Sequence, residues 1–114
     1  MRPLFHPALE DITVEGILHA LSDPVRVAIF SNIADSAASQ TCVAFSTIGE
    51  REIPKSTLSQ HFKILREAGL IRSERQGVEM RNTSRCEEIH KRFPGLIAAI
   101  IDSFKKQEKQ SKRK

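Results

Sequence analysis

The chain has 114 residues, which is enough for one domain with a modest hydrophobic core. Its 39% hydrophobic and 28% charged residues are typical of a soluble globular protein. No apolar run approaches the roughly 18 residues of a membrane span, and the N-terminus lacks the basic and then apolar pattern of a secretory signal. We therefore expect a cytoplasmic protein with no membrane partner. We also expect three parts: an N-terminal arm at 1–10, one domain at 11–107 and a basic tail at 108–114.

Charge is unevenly distributed along the chain, whose formal net charge is +4. Residues 1–54 hold 3 Lys/Arg and 7 Asp/Glu, whereas residues 55–114 hold 15 Lys/Arg and 7 Asp/Glu. A basic half of this kind indicates a polyanionic partner, with nucleic acid as the first choice and an anionic membrane surface as the second. Part of the excess lies at 105–114, which also fits a solvated tail.

Two helices are predicted in the first third of the chain. Apolar residues recur at helical spacing over about 11–21, which predicts an amphipathic helix there. A second helix begins at the sequence SDP, because Asp23 can cap the free N–H groups and Pro24 suits the first helical position.

Two helices are predicted in the middle of the chain. Residues 42–48 predict a short helix, with an extended segment as the alternative. The next helix covers about 56–67, with Ser56 as its predicted N-cap. Gly69 can adopt the left-handed conformation that closes many helices.

The C-terminal half predicts a hairpin and then a long apolar helix. Residues 70–84 carry arginines on both sides of Gly77, which predicts a β-hairpin with a basic tip. The last element covers about 87–107, and Pro94-Gly95 predicts either a kink or the start of the main helix. Its apolar band is wider than one small domain needs, so we expect part of it to contact another chain.

The helix at 56–67 carries two kinds of residue. At about 100° per residue, Leu58, Phe62 and Leu65 fall on one side and would dock on the core. The opposite side carries groups that a reader of the DNA major groove needs, since Gln bonds adenine bidentately and Lys reaches guanine or phosphate. An ordinary polar surface helix is the alternative. The order of capped helix, short segment, polar helix and basic hairpin favours a winged helix-turn-helix.

Two stretches carry a family resemblance. ALSDPVRVAIF at 20–30 and KSTLSQHFKILREAGLIRSERQG at 55–77 resemble the signature regions of the ArsR-type winged-helix transcriptional regulators. The resemblance implies a mainly α fold with about five helices and a small β-hairpin wing. It also implies a homodimeric repressor that binds an inverted repeat in double-stranded DNA, with a recognition helix at about 56–67 and a wing at about 72–82.

The resemblance also assigns residues to these surfaces. Those expected to contact DNA are Lys55, Ser56, Thr57, Ser59, Gln60, His61 and Lys63 on the helix and Arg75, Gln76 and Arg81 on the wing. Those expected to form the dimer interface are Val14, Ile17, Leu18, Leu21, Phe93, Ile97, Ile100, Ile101 and Phe104.

The chain departs from the metal-sensing members of that family. Many of these carry a Cys-x-Cys pair before the recognition helix, where this chain has Cys42 alone. Others use Asp and His on the last helix, where this chain has Asp102 with no His after position 90. A tight zinc site needs about four ligands, so we expect no metal and no cofactor.

The two cysteines leave a thiol sensor open. Cys42 and Cys86 are either sensing thiols or small apolar residues. Because Cys86 follows Arg85, it is the one expected to be the exposed thiolate. The inducer, if there is one, is not indicated by the sequence.

Other functional classes are less well supported. The chain contains no phosphate-cradling Gly-rich loop, no G-x-S-x-G and no His-Glu-x-x-His, so we do not expect an enzyme. The remaining alternatives are a thiol- or metal-responsive form of the same regulator and a winged-helix module that binds protein.

Arg26 has two open roles, since it can pair with a carboxylate or reach the DNA backbone.

Overall fold

A computed structural model describes residues 4–35, 40–41, 47–48 and 51–111. After a 3-10 turn at Leu9–Asp11, its elements follow in chain order: α1 Val14–Ala20, α2 Pro24–Asp35, β1 Gln40–Thr41, β2 Thr47–Ile48, β3 Arg51–Glu52, α3 Lys55–Glu67, β4 Ile71–Gln76, β5 Glu79–Ser84, α4 Cys86–Arg92 and α5 Leu96–Ser111. The five helices and the β4–β5 hairpin within this part of the chain confirm the predicted mainly α fold with a wing. None of these helices is long and apolar enough to cross a lipid bilayer.

The starts of the first two helices are set by side-chain caps. Thr13 caps α1, since its Oγ1 accepts from Gly16 N at 3.0 Å. Asp23 caps α2 as predicted, and its Oδ1 accepts from Val25 N at 2.8 Å and from Arg26 N at 3.2 Å. The first helix is therefore shorter than the predicted 11–21, because the 3-10 turn and the Thr13 cap occupy its first residues.

Helix α3 begins without the predicted Ser56 cap. It starts at Lys55, directly after an extended Pro54 whose carbonyl accepts from Leu58 N at 2.9 Å. The Pro54 side chain carries no hydrogen-bonding group, so no side chain caps the free N–H groups. Ser56 instead lies inside the first turn.

The end of α3 follows the prediction. Gly69 has φ 86°, and two backbone bonds close the helix, from Gly69 N to Arg66 O and from Leu70 N to Leu65 O, both at 3.0 Å. This pair of bonds is the Schellman motif, which needs a left-handed residue directly after the helix.

Two other predicted elements differ from the structure. Thr47–Ile48 pairs with Arg51–Glu52 as antiparallel strands, so the predicted short helix at 42–48 is wrong at its end. β-Branched Thr and Ile favour this extended state, and residues 42–46 lie outside the described ones. The last element is two helices, because Gly95 takes φ 82° between them. The main helix α5 starts after Gly95 and continues to Ser111, into the predicted tail.

The core is formed by all five helices and the base of the hairpin. Its buried apolar members are Ile12, Ile17, Ala20, Leu21, Val27, Ile29, Phe30, Ile33, Leu58, Phe62, Leu65, Leu70, Ile71, Ile89, Ile97 and Ile101. Strand β5 lies between β1 and β4 in one antiparallel sheet. The β4–β5 hairpin follows α3 in the chain, and it projects from the core beyond its buried base.

The N-terminal arm lies against this body. His6 Nε2 accepts from Ser73 N on β4 at 3.0 Å. The buried Arg85 donates to Pro7 O at 2.8 Å, and Arg92 donates to Leu9 O at 2.9 Å. Residues 6–9 of the predicted arm are thus fixed to the wing and to α4.

We expect Gly69→Ala to destabilise the fold more than Gly95→Ala does. Both glycines have φ above 80°, so each alanine should cost about 1–2 kcal/mol of backbone strain. A Cβ on Gly69 would also lie 2.5 Å from Ile12 Cδ1, whereas one on Gly95 would meet nothing within 4 Å. Urea unfolding followed by circular dichroism measures both losses, and equal losses would show that Ile12 moves aside freely.

Candidate nucleic-acid interface

Helix α3 is divided into a buried apolar side and an exposed polar side. Leu58, Phe62 and Leu65 are buried in the core, as the helical periodicity predicts. The exposed side chains are Lys55, Ser56, Thr57, Ser59, Gln60 and Lys63. Six of the seven residues expected to contact DNA from this helix are thus accessible to a ligand.

The wing carries an exposed basic residue close to its tip. Arg75 and Gln76 end β4 and are exposed, opposite Met80 and Glu79 on β5. The strands are joined by Gly77 and Val78, and Gly77 takes φ 65°, as the first position of a type II′ hairpin turn requires. Val78 is 98% exposed, and the sequence analysis did not single out this apolar tip.

Arg81 is less available than the other predicted wing contacts. Its Nη2 lies 2.9 Å from the Glu79 carboxylate, and its side chain is 36% exposed. An exposed pair of this kind is weak, so the guanidinium can exchange Glu79 for a phosphate. Arg75 has no ion pair within the described part of the chain, and so is the more accessible cation.

His61 is the one predicted helix contact that faces inward. The residue is 9% exposed, and its Nδ1 lies 3.5 Å from Arg26 Nη1. His61 was among the residues expected to contact DNA, but its neighbour is Arg26, a cation of α2. Burial is the main cause that lowers the pKa of His61, the Asp23 carboxylate raises it and Arg26 lowers it further. His61 is thus held as the neutral imidazole.

Arg26 connects three helices at this point. Its Nε donates to Ala20 O at 2.7 Å and its Nη2 to His19 O at 3.4 Å, both at the end of α1. Its Nη1 also lies 3.8 Å from the carboxylate of Asp23, the cap of α2. Of its two predicted roles, the structure shows the carboxylate pair. The (i, i+3) spacing from Asp23 signals that pair, but no local pattern signals the contact with His61.

The residues expected at the dimer interface occupy two environments. Ile17, Leu21, Ile97 and Ile101 are buried in the core of the single chain. Val14, Phe93, Ile100 and Phe104 are half-buried, and Leu18 is 52% exposed. The second group leaves apolar surface on α1 and α5, whereas the first contributes mainly to folding.

The cysteine that the structure describes is not the exposed thiolate that was expected. Cys86 is half-buried at the start of α4, and this burial raises the pKa of its thiol. The neighbouring Arg85 does not activate it, since that guanidinium contacts Glu88 and Pro7 O. Cys42 lies outside the described residues. Among the described ones, no three His, Cys, Asp or Glu side chains converge as a metal site would require.

Comparison with known proteins shows which family the chain belongs to. The helix-turn-helix domain family matches residues 21–74. The chain is 33% identical over 85 residues to the HTH-type transcriptional regulator YceK of Bacillus subtilis, covering 74% of this chain and 82% of that one. It is also 39% identical over 75 residues to the HTH-type transcriptional repressor SmtB of Mycobacterium tuberculosis. The chain belongs to the ArsR-type family of winged helix-turn-helix transcriptional regulators.

The extent of these matches differs. The match to SmtB covers 65% of this chain, which spans about half (53%) of that repressor's length. An ArsR-like transcriptional regulator from Rhodococcus sp. RHA1 has the same fold, with a TM-score of 0.57, 24% identity, and coverage of 84% of this chain and 89% of that one. These relatives are regulators and not enzymes, in agreement with the sequence analysis.

The neutral state of His61 predicts a pH dependence of folding stability. Because its pKa is lower in the folded protein, the unfolded chain takes up the proton first. Stability should therefore be full above the ordinary imidazole pKa of about 6.5 and fall as the pH drops below it. His61→Gln keeps an oxygen that can accept from Arg26 but cannot be protonated, so its stability should fall less steeply.

Urea unfolding at a series of pH values measures this slope. Burial also lowers the pKa of His6, so some slope should remain in His61→Gln. His19→Gln is the matched control, because the His19 side chain is exposed. A slope in His61→Gln equal to that of the wild type would show that His61 titrates alike in both states.

Proposed function

We propose that the chain is a sequence-specific transcriptional repressor that binds double-stranded DNA as a homodimer on an inverted repeat. The observation that carries the proposal is the set of six exposed polar side chains on α3, together with a hairpin whose exposed Arg75 has no ion pair among the described residues. Membership of the ArsR-type family and the repressor name of the SmtB relative support it. Repression follows when the bound dimer occludes a promoter.

In this proposal α3 reads the major groove. Gln60 lies on the exposed side and has the amide that bonds adenine bidentately, while Lys63 reaches guanine or phosphate one turn later. The uncapped start of α3 favours a DNA phosphate, since its free N–H groups and the helix dipole both attract an anion. His61 is left out of the contact set because it faces Arg26.

The wing contacts the adjacent DNA backbone. Arg75 supplies the main charge, and Gln76 next to it supplies an amide. Arg81 joins them only by leaving Glu79, which makes its contribution smaller. These contacts position the protein on the duplex without reading its sequence.

The second subunit docks on the apolar surface of α1 and α5. Exposed Leu18 and half-buried Ile100 and Phe104 supply that surface. Twofold symmetry then sets two α3 helices about one helical turn of DNA apart, near 34 Å. This spacing is what makes an inverted repeat the expected operator.

A protein-binding winged helix is the second candidate, and one observation favours it. The exposed Val78 at the wing tip suits an apolar partner better than a phosphate. The salt dependence of duplex binding separates the two, because each phosphate contact releases counterions. A steep dependence supports the DNA function, whereas weak and salt-independent binding supports a protein partner.

We expect Gln60→Ala and Lys63→Ala to affect DNA binding differently. Loss of a bidentate amide should remove about 1–3 kcal/mol of discrimination at one base position. Loss of a phosphate contact should weaken binding evenly and lower the log–log salt slope by about 1. Selection of random duplexes by each purified variant, followed by sequencing, measures the base preference.

Glu67→Gln is the matched control for this selection, since it alters an exposed side chain at the far end of the same helix. Its selected sequences should equal those of the wild type. If Gln60→Ala also selects the wild-type sequence, Gln60 does not read a base.

We expect Leu18→Glu to dissociate the dimer. A carboxylate placed in an apolar interface loses its water, so binding to a full inverted repeat should weaken by about tenfold or more. Binding to a single half-site should be unchanged. Sedimentation measures the mass, and Val78→Glu is the control for the mass alone, because it changes an exposed apolar residue of the wing and none on α1 or α5. A dimeric Leu18→Glu protein would contradict the proposed interface.

A further inference from the structure

A cavity of about 620 Å³ lies between α4, the first half of α5 and the end of α2. Its apolar wall consists of Phe93, Ile97, Ala98 and Ile101. This volume is within the roughly 300–1,000 Å³ of typical small-molecule sites, which combine an apolar wall with a few polar groups. The cavity is open on one side and has room for an organic molecule of moderate size.

The polar groups around this cavity carry an acidic excess. Asp35 and Lys105 neutralise each other across the rim at 2.9 Å. Glu87 and Asp102 also line the cavity and have no ion pair in the part of the chain that the structure describes, whereas Lys91 is the one remaining lysine there. The excess is unusual for residues 55–114, where Lys/Arg outnumber Asp/Glu by 15 to 7.

The cavity also lies apart from Leu18, Ile100 and Phe104, which supply the surface of the proposed dimer, although Phe93 of the expected interface lines the cavity. At about 100° per residue, Ala98, Asp102 and Lys105 lie on one side of α5, and Ile100 and Phe104 lie on the other. The buried Ile97 and Ile101 separate the two sides. A dimer that forms through Leu18 and Phe104 therefore leaves the cavity open to solvent.

We propose that this cavity binds an amphipathic organic cation, such as an arylalkyl amine. The apolar body of the ligand would cover Phe93 and Ala98, and its ammonium group would lie between Glu87 and Asp102. A carboxylate ligand of the same size would meet both carboxylates and is disfavoured. The binding site stands on this geometry alone.

Ligand binding in the cavity can affect the proposed DNA-binding surface, because α4 is connected to the wing and to the end of α3. Cys86 lines the cavity and begins α4 two residues after the wing strand β5 ends. Between them, Arg85 N donates to Leu70 O at 2.9 Å, at the end of the recognition helix. A ligand that shifts α4 against α5 thus moves the base of the wing, so the cation would regulate DNA affinity; this consequence rests on the proposed function.

Calorimetric titration with 4-phenylbutylamine and 5-phenylpentanoate tests the site, since the two probes share a phenylbutyl group and differ in charge. The amine should bind saturably with one site per chain, and the carboxylate about tenfold more weakly or not at all. Equal affinities, or no saturable binding of the amine up to its solubility limit, would overturn the proposal.

A pair of double variants locates the charge preference. Glu87→Gln with Asp102→Asn should weaken amine binding roughly fivefold, the combined effect of two partly exposed charge pairs. Glu74→Gln with Glu108→Gln changes the net charge equally but away from the cavity, and should leave the affinity unchanged. Equal losses in both proteins would assign the effect to net charge and overturn the site.

The regulatory consequence is measured separately. Saturating amine should change the affinity for a selected operator roughly threefold or more in the wild type, and the cavity double variant should need about five times more amine to give the same change. Because the calorimetric titration contains no DNA, its failure leaves the proposed DNA function untouched. If the chain binds the amine but no DNA, the cavity site is supported and the proposed regulatory function is contradicted.

Discussion

The guanidinium of Arg26 is the contact on which the arrangement of α1, α2 and α3 depends. Its side chain is only 11% exposed, so most of its hydration is lost and must be replaced by protein partners. The carbonyls of His19 and Ala20, the Asp23 carboxylate and the imidazole of His61 replace it. This largely covered guanidinium therefore links the helix that carries part of the proposed dimer surface to the helix proposed to read DNA. Each of its partners constrains the angle between the helices.

The features that could be predicted from the sequence are those decided within a few residues. The Asp23 cap, the Gly69 stop and the hairpin turn at Gly77 each follow from local backbone chemistry, and together they fix the order of elements. The apolar side of α3 was equally predictable, because helical periodicity decides which residues meet the core. The missing Ser56 cap is a local error, since either Pro54 or Ser56 could begin the helix on sequence pattern alone.

What could not be predicted depends on distant partners. His61 sits at the flank of the apolar side of α3, and only Arg26, 35 positions earlier, decides that it faces inward. Arg85 is adjacent to Cys86 in the sequence, but its guanidinium donates hydrogen bonds to the Glu88 carboxylate and to Pro7 O instead. In both cases the residue type suggested a chemistry that tertiary contacts redirect: an expected DNA contact instead packs between helices, and an expected thiolate becomes a half-buried thiol.

The N-terminal arm has a consequence for how the protein folds. Its bonds to Ser73, Arg85 and Arg92 join residues 67 to 83 positions apart. Contacts with such large sequence separation form slowly, because the chain must close a long loop before they stabilise it. We therefore expect the helices and the hairpin to assemble first and the arm to dock last. During synthesis the arm leaves the ribosome before any of its partners, so this part of the fold must wait until α4 has emerged.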